Sequence, residues 1–391
     1  MDFDLNSEQR MSIDATRRMV EGQIQPILDA HPKNQPLPKQ AALKILGCCA
    51  ELGITAARVP EEGGGSGMKL LDYGLITEQL PVVAAGILQP QETTIARLYY
   101  GSSEEQREKF LPDLIAGKKI TCTATTEPDV GSDPRGVRTR LREDGDSVII
   151  EGSKLWISNA SISDLVNVTC RTEGGESGRD LTRVVVDRSE SPYESNEVDV
   201  IGLNQGHLGE IIFRQCRVPR FNVLGNSGDA ARVLTLTWLA NRPLLGLGAV
   251  NCAQKALELA RIYAGTRRQF GKLIGGYQLI LQDLADIQTA VVASRLLCYN
   301  ALAALDRGER ANGLSAMAKR FSIDSCDRAI ALAMRVHGAM GLSRELGLEQ
   351  LARDVRMLSI PDGTPGILAL IQGREITGLD PFRDGKPMPI N

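Results

Sequence analysis

Leu165-Val-Asn-Val-Thr169 and Val184-Val-Val186 decide the architecture, because each is a short β-branched run bounded by Gly, Asp and Ser. That composition suits a strand and not a long helix. Working outward, Val148-Ile-Ile150 and Ile211-Ile-Phe213 have the same texture, and Gly174, Gly175 and Gly178 mark a turn. The strand-rich stretch runs from about Ile120 to Phe221. On both sides of it the apolar period is helical. Asn6 with Gln9 forms a capping-box signal, repeated by Ser102/Glu105 and Ser103/Gln106 ahead of Phe110, Leu111 and Leu114. Residues 38–52 and 68–83 carry helical spacing around a glycine-rich connector at 60–67. Downstream, residues 229–265, 277–307, 313–338 and 365–377 read as long helices that pack in a bundle. The predicted class is therefore α+β, with a helical domain over 1–119, a β-barrel-like domain over 120–225 and a C-terminal four-helix bundle over 226–391.

Bulk properties fit that division. A chain of 391 residues is long enough for two or three packed regions. With 42% hydrophobic and 24% charged residues it has an ordinary globular balance. A net charge of −3 and the lack of any long Lys/Arg stripe exclude a nucleic-acid-binding face. The eight cysteines form no CxxC pair and are expected to be reduced and buried. His31, His207 and His337 have no metal-ligand spacing, so no metal site is expected. The start, Met1 to Arg10, is acidic and polar, and the apolar stretch from Pro243 to Val250 falls short of the roughly 18 residues that a spanning helix requires. The expectation is a cytoplasmic protein without membrane insertion.

Four segments carry a family resemblance. Thr126-Glu-Pro-Asp-Val-Gly-Ser-Asp133, Lys154-Leu-Trp-Ile-Ser-Asn159, Arg267-Arg-Gln-Phe-Gly271, and Arg353-Asp354 followed by Ile360-Pro-Asp-Gly-Thr364 stand in order along the chain. Together they resemble the signature segments of the acyl-CoA dehydrogenase family. The resemblance implies an FAD enzyme that desaturates an acyl-CoA thioester and passes electrons to an electron-transfer flavoprotein. It implies that Thr126, Gly131 and Ser132 contact the flavin, with Ser132 also on the substrate, that Trp156 flanks the ring and that Ser158 donates near its N5. The family usually has Thr at the position of Ser158. Arg267, Gln269 and Phe270, with Gln278, Arg335 and Gly338, match positions that reach FAD across a subunit boundary, which implies a homotetramer or dimer. Thr364 joins the cofactor set, and Arg242, Asp362, Gly363 and Glu92 the substrate set. Arg335 and Ala339 replace the commoner Gln and Gly.

By local rules, Ile360 to Pro365 is a type I turn into a helix, with Pro361 at its second position, Thr364 as N-cap and Pro365 at the first helical position. The resemblance makes Asp362 the catalytic base, where the family normally has Glu. A thioester α-C–H yields its proton only to a carboxylate within reach while the carbonyl oxygen is hydrogen-bonded, in the family by the N–H of the base residue. Asp is shorter than Glu by one bond, about 1.5 Å, which points away from a standard straight-chain substrate. The alternative base position, ahead of Arg242, holds Asn241 and has no basic group. Glu92 is a second candidate acid/base near the acyl tail, as in relatives that handle alicyclic acids. Gly366, Leu239 and Trp238 depart from the family pattern, leaving an acyl-carrier-protein thioester open as an alternative to CoA. A nitroalkane-oxidase-like branch also uses Asp at this turn. A DNA-repair-associated branch carries a basic extension of which the residues here show none.

Overall fold

The computed structural model of the chain describes residues 4–175, 180–225, 230–382 and 386–387, so the turn expected at Gly178 and the helix start at Asp229 lie outside the described residues. The chain divides into two compact units, Met1–Lys69 with Val83–Trp238, and Leu70–Val82 with Leu239–Asn391.

In the first unit, helices α1 (Ser7–Met19), α2 (Gln25–Asp29) and α3 (Lys39–Glu51) precede α5 (Val82–Gly101) and α6 (Glu104–Ile115), while α4 (Leu70–Thr77) belongs to the second. The Asn6/Gln9 box starts α1: Gln9 N donates to Asn6 Oδ1 at 2.8 Å and Asn6 N to Gln9 Oε1 at 3.1 Å. Of the two overlapping signals before α6, Ser103 and Gln106 form the box. Ser102 instead turns back, its hydroxyl donating to Leu98 O at 2.6 Å to close α5. Gln106 also donates to the carbonyls of Phe221 and Val223, which ties α6 to the end of the sheet.

That sheet has eight strands: β1 (Thr121–Ala124), β2 (Arg140–Asp144), β3 (Ser147–Ser158), β4 (Leu165–Thr172), β5 (Leu181–Asp187), β6 (Glu194–Glu197), β7 (Leu208–Pro219) and β8 (Val223–Leu224). Their order is β6-β7-β3-β2-β4-β5-β8, with β1 parallel to β4 off the main path. All four β-branched runs of the sequence lie inside β3, β4, β5 and β7. Alternate residues such as Val166, Val168, Val184, Val186, Ile211 and Phe213 fill one core, while Leu165, Val185 and Leu224 pack with Ile95, Leu98, Phe110 and Leu114 of α5 and α6. Both faces of β4 and β5 are covered, which is why those strands read as continuous apolar runs.

The second unit holds α4, most of α7 (Ala230–Thr266), the hairpin β9–β10 (Arg268–Gln269, Lys272–Leu273), α8 (Gln278–Asp306), α9 (Asn312–His337), α10 (Leu348–Leu358) and α11 (Pro365–Thr377). Helix α9 is its centre, packed against α8, α10 and α11, and α4 lies on α8. Close approach requires small residues: a Cβ on Gly246 of α7 would stand 2.6 Å from Cys298 Sγ and 3.3 Å from Ser322 Cβ. Every cysteine is free and buried. No helix among the described residues is long and apolar enough to cross a membrane, and among them no cluster of His, Cys, Asp or Glu could hold a metal ion.

Candidate active site

The turn that carries Asp362 joins α10 to α11 and differs from the expected type I geometry. Asp362 has φ +54° and Gly363 φ +116°. A positive φ at the third turn position belongs to type II turns, and Asp is one of the few L residues that tolerates it. The cause lies beneath the turn. Lys319 of α9, fully buried, donates to Ser359 O at 3.3 Å, to Gly363 O at 2.8 Å and to Pro361 O. Buried Arg242 of α7 donates through Nε to Asp362 O at 3.0 Å and through Nη1 to Asn312 Oδ1 at 2.9 Å. Two cations thus hold four carbonyls of a five-residue segment. The Asp362 carboxyl is half-buried, and its N–H donates to no acceptor among the described residues. Thr364 caps α11 as expected, its hydroxyl accepting from Ile367 N, with Pro365 at the first position. Burial pulls Arg242 below its usual range and pushes Lys319 down to about 7, and in both cases Asp362 opposes the shift.

In the first unit, a second buried lysine organises the loop after β1. Lys154 donates to Glu127 Oε1 at 2.7 Å and to Thr125 O at 3.1 Å. The same carboxylate accepts from Thr139 N at 2.9 Å, Thr139 Oγ1 at 2.6 Å and Arg138 N at 2.7 Å. Burial alone would raise Glu127, but the bonds from Lys154 and Thr139 outweigh it and hold the carboxyl below its ordinary value. Leu155 N donates to Thr126 O at 3.0 Å, so the 126–133 loop lies against β3. There β3 is bulged, Trp156 takes φ +63°, and its side chain is 51% exposed where an alternating strand would bury it. The half-buried Thr126 and Ser158 have no side-chain hydrogen bonds to other described residues, and a Cβ on exposed Gly131 would meet nothing within 4 Å. An exposed aromatic face with free hydroxyls fixed beside it fits a flat ring with a polar edge, as FAD requires. Glu127 and Lys154 sit inside the quoted motifs, yet nothing in their local pattern marks them as a buried pair.

Arg267, Gln269 and Phe270 lie on or beside the β9–β10 hairpin. Its two loop residues, Phe270 at φ +51° and Gly271 at φ +82°, are both left-handed, as a type I′ hairpin demands. Tyr277 Oη donates to Gln269 O at 3.0 Å and Ile274 N to Arg267 O at 2.9 Å, bracing a tip on which Phe270 is 94% exposed. Gln278 opens α8 and is exposed. Arg335 pairs with Asp283 of α8, and Gly338, at φ +58°, ends α9. Glu92 of α5 is buried and grips Arg58, which donates to its two oxygens at 2.8 and 2.9 Å. Asn241, at the alternative base position, is buried.

The models of the N-terminal, middle and C-terminal domains of acyl-CoA dehydrogenase match residues 6–118, 122–216 and 231–377. Glutaryl-CoA dehydrogenase of Desulfococcus multivorans is 31% identical over 95% of this chain and 97% of its own length. Cyclohex-1-ene-1-carbonyl-CoA dehydrogenase of Geobacter metallireducens is 31% identical, covering 95% and 98%. The solved butyryl-CoA dehydrogenase of Megasphaera elsdenii superposes with a TM-score of 0.89 at 27% identity, covering 96% of this chain and 100% of that one. With all three domains matched and the relatives aligned almost end to end, the chain belongs to the acyl-CoA dehydrogenase family, FAD-dependent oxidoreductases that act on the CH–CH bond of acyl-CoA thioesters.

Proposed function

We propose that this enzyme desaturates an acyl-CoA thioester with Asp362 as the base. The observation that carries the reading is the clamped turn: its carbonyls are tied down by Lys319 and Arg242, while the Asp362 N–H donates to no described residue and its carboxyl is only half-buried. In this role the carboxylate takes the α-proton as the Asp362 N–H holds the thioester oxygen, a donor fixed in advance for the charge that develops there. FAD, when bound, supplies the acceptor for the β-hydride, which leaves a double bond in the acyl chain. Thr126, Ser158, Trp156, Gly131 and Ser132 hold the ring, and Thr364 joins them. Arg267, Gln269 and Phe270 on the exposed hairpin, with Gln278, Arg335 and Gly338, serve a cofactor bound across a homo-oligomer interface. An electron-transfer flavoprotein is the proposed acceptor of the electrons.

The short reach of Asp362 favours a compact or branched acyl group that lies close to the turn. The Arg58–Glu92 pair, with Glu92 buried, is the candidate contact for the acyl tail. Anaerobic titration with straight, branched and alicyclic acyl-CoAs tests the proposal. At least one should bleach the flavin, an alicyclic or branched one most completely. Asp362→Asn should keep FAD and lose reduction rate by roughly 10²- to 10⁴-fold, the usual worth of a positioned base. No bleaching by any thioester, with hydrogen peroxide formed from a nitroalkane, would overturn the reading in favour of the oxidase branch.

A further inference from the structure

We infer that Lys319 is a positioning residue for Asp362: its buried ammonium pins the base-bearing turn through three backbone carbonyls and sets an unpaired positive charge beside the carboxylate. The inference rests on the reading of Asp362 as base and extends it to a residue that makes no contact with substrate in that reading.

An ammonium has three N–H donors, and here three carbonyls converge on it, those of Ser359, Pro361 and Gly363. They bracket Asp362 on both sides. The fourth carbonyl, that of Asp362 itself, goes to Arg242. A turn so held keeps Asp362 at φ +54°, a region in which an L residue is better supported than left alone, beside Gly363 at φ +116°. Asp362 is therefore presented by a rigid support in the second unit and not by its own local preference.

The charge matters as well as the bonds. Among the described residues no carboxylate forms an ion pair with Lys319, in contrast to Arg335 with Asp283 on the same helix. The charged groups that act on Lys319 are Asp362 on the turn, which favours the cation, and Arg242 on α7, which opposes it; Arg374 of α11 acts in turn on Arg242. Burial weakens the hold of Lys319 on its proton. If that proton leaves, two N–H donors remain for three carbonyls, and the turn loses a tether as well as a charge. The cation that orders the turn is thus also the one whose charge Asp362 favours.

Lys319→Met and Lys319→Gln separate the two roles, read by three measurements on the FAD-loaded protein: hydrogen exchange of the 358–366 segment, the rate of flavin reduction by acyl-CoA, and the pH profile of that rate. In Lys319→Met, exchange of the turn should rise about tenfold or more while the 121–158 segment is unchanged, and reduction should fall roughly 10²-fold, the loss that an ångström of misplacement brings. The apparent Kd for acyl-CoA should change much less. The step near pH 7, where Lys319 loses its proton in the parent, should vanish from the profile. Lys319→Gln keeps donors without charge, so it should restore much of the exchange protection and still lack the step near pH 7. If the Met variant does not fold, the Gln variant carries the test: a parent-like rate and profile in it overturns the inference. Unchanged exchange at 358–366 in a folded Met variant overturns it too. If the parent flavin is not bleached by any acyl-CoA, the proposed function fails, and the pinning of the turn still stands or falls on the exchange measurement.

Discussion

Two lysines are fully buried among the described residues, one in each compact unit, and their charges are handled in opposite ways. Lys154 faces Glu127, and that carboxylate is further satisfied by Thr139 and the Arg138 N–H, so the cation and anion close into a neutral, hydrogen-bonded knot. Lys319 meets only carbonyl dipoles, and the anion that answers it is Asp362, the residue assigned to chemistry. Both ammonium groups staple a loop that carries proposed site residues. The first spends its charge on the staple, whereas the second leaves its charge acting on Asp362, the proposed base.

The largest loss comes from orphaning Lys154. Glu127→Gln removes the anion and leaves a buried ammonium, so it should lower stability by about 3–5 kcal/mol, the cost of breaking a buried pair from one side. The double variant Glu127→Gln/Lys154→Met should recover most of that loss, because no uncompensated charge remains. Denaturant unfolding of the four proteins in the cycle measures the coupling directly. If Glu127→Gln alone unfolds at the parent midpoint, the knot is not what holds the 126–139 loop, and Lys154 would have to be regrouped with Lys319.

The sequence showed the frame of this arrangement and hid its supports. Helix α11 spans 365–377 as its Thr-Pro start and apolar period predict, and α9 begins and ends within a residue of the expected 313–338. Strand β6, Glu194–Glu197, has no apolar residue to announce it and exists because its backbone pairs with β7. Strand β2, Arg140–Asp144, buries only Leu141. The positive φ of Asp362 was equally hidden, since Pro361 and Gly363 suit a type I turn until cations beneath it pull the carbonyls inward. Lys319 stands beside Arg320 in a helix, a pattern that usually marks a solvated face. One signal was present: Lys319 shares a helical stripe with Ser315, Ser322 and Cys326, all buried, and a charge on such a stripe asks for a partner.

A milder perturbation sharpens the contrast through pH. Lys319 is pushed down to about 7 from an ordinary 10.5, so folding disfavours its charged form. Between those values the unfolded chain binds more protons than the folded one, and stability must rise with pH across that window. The cost is present in full below the folded value and is relieved as the amine is neutralised. Lys319→Met lacks this contribution. The gap in unfolding free energy between parent and variant should therefore move in favour of the parent by about 1.6 kcal/mol from pH 7 to about pH 8.5, the slope approaching about 1.4 kcal/mol per pH unit. Buried thiols such as Cys216, pushed up to about 11, give slopes only above their ordinary value of 9.0 and act equally in both proteins. A gap that stays flat would mean that Lys319 is compensated as fully as Lys154.

The smallest effect comes from an ion pair on the same helix as Lys319. Arg328 Nη2 and Asp324 Oδ2 stand 2.8 Å apart, the same separation as Lys319 Nζ and Gly363 O, yet both side chains are 70% exposed. Water competes for each partner, salt screens them, and one turn of helix already holds them near each other without a fold to maintain. Asp324→Asn should therefore change stability by no more than about 0.5 kcal/mol, and less at high salt. It should leave exchange of the 358–366 segment at the parent level. A larger loss would mean that distance alone, and not burial, ranks the cations of α9. Under that ranking Lys319 would hold no special place under the turn, because Arg328 makes as short a bond at a position where nothing depends on it.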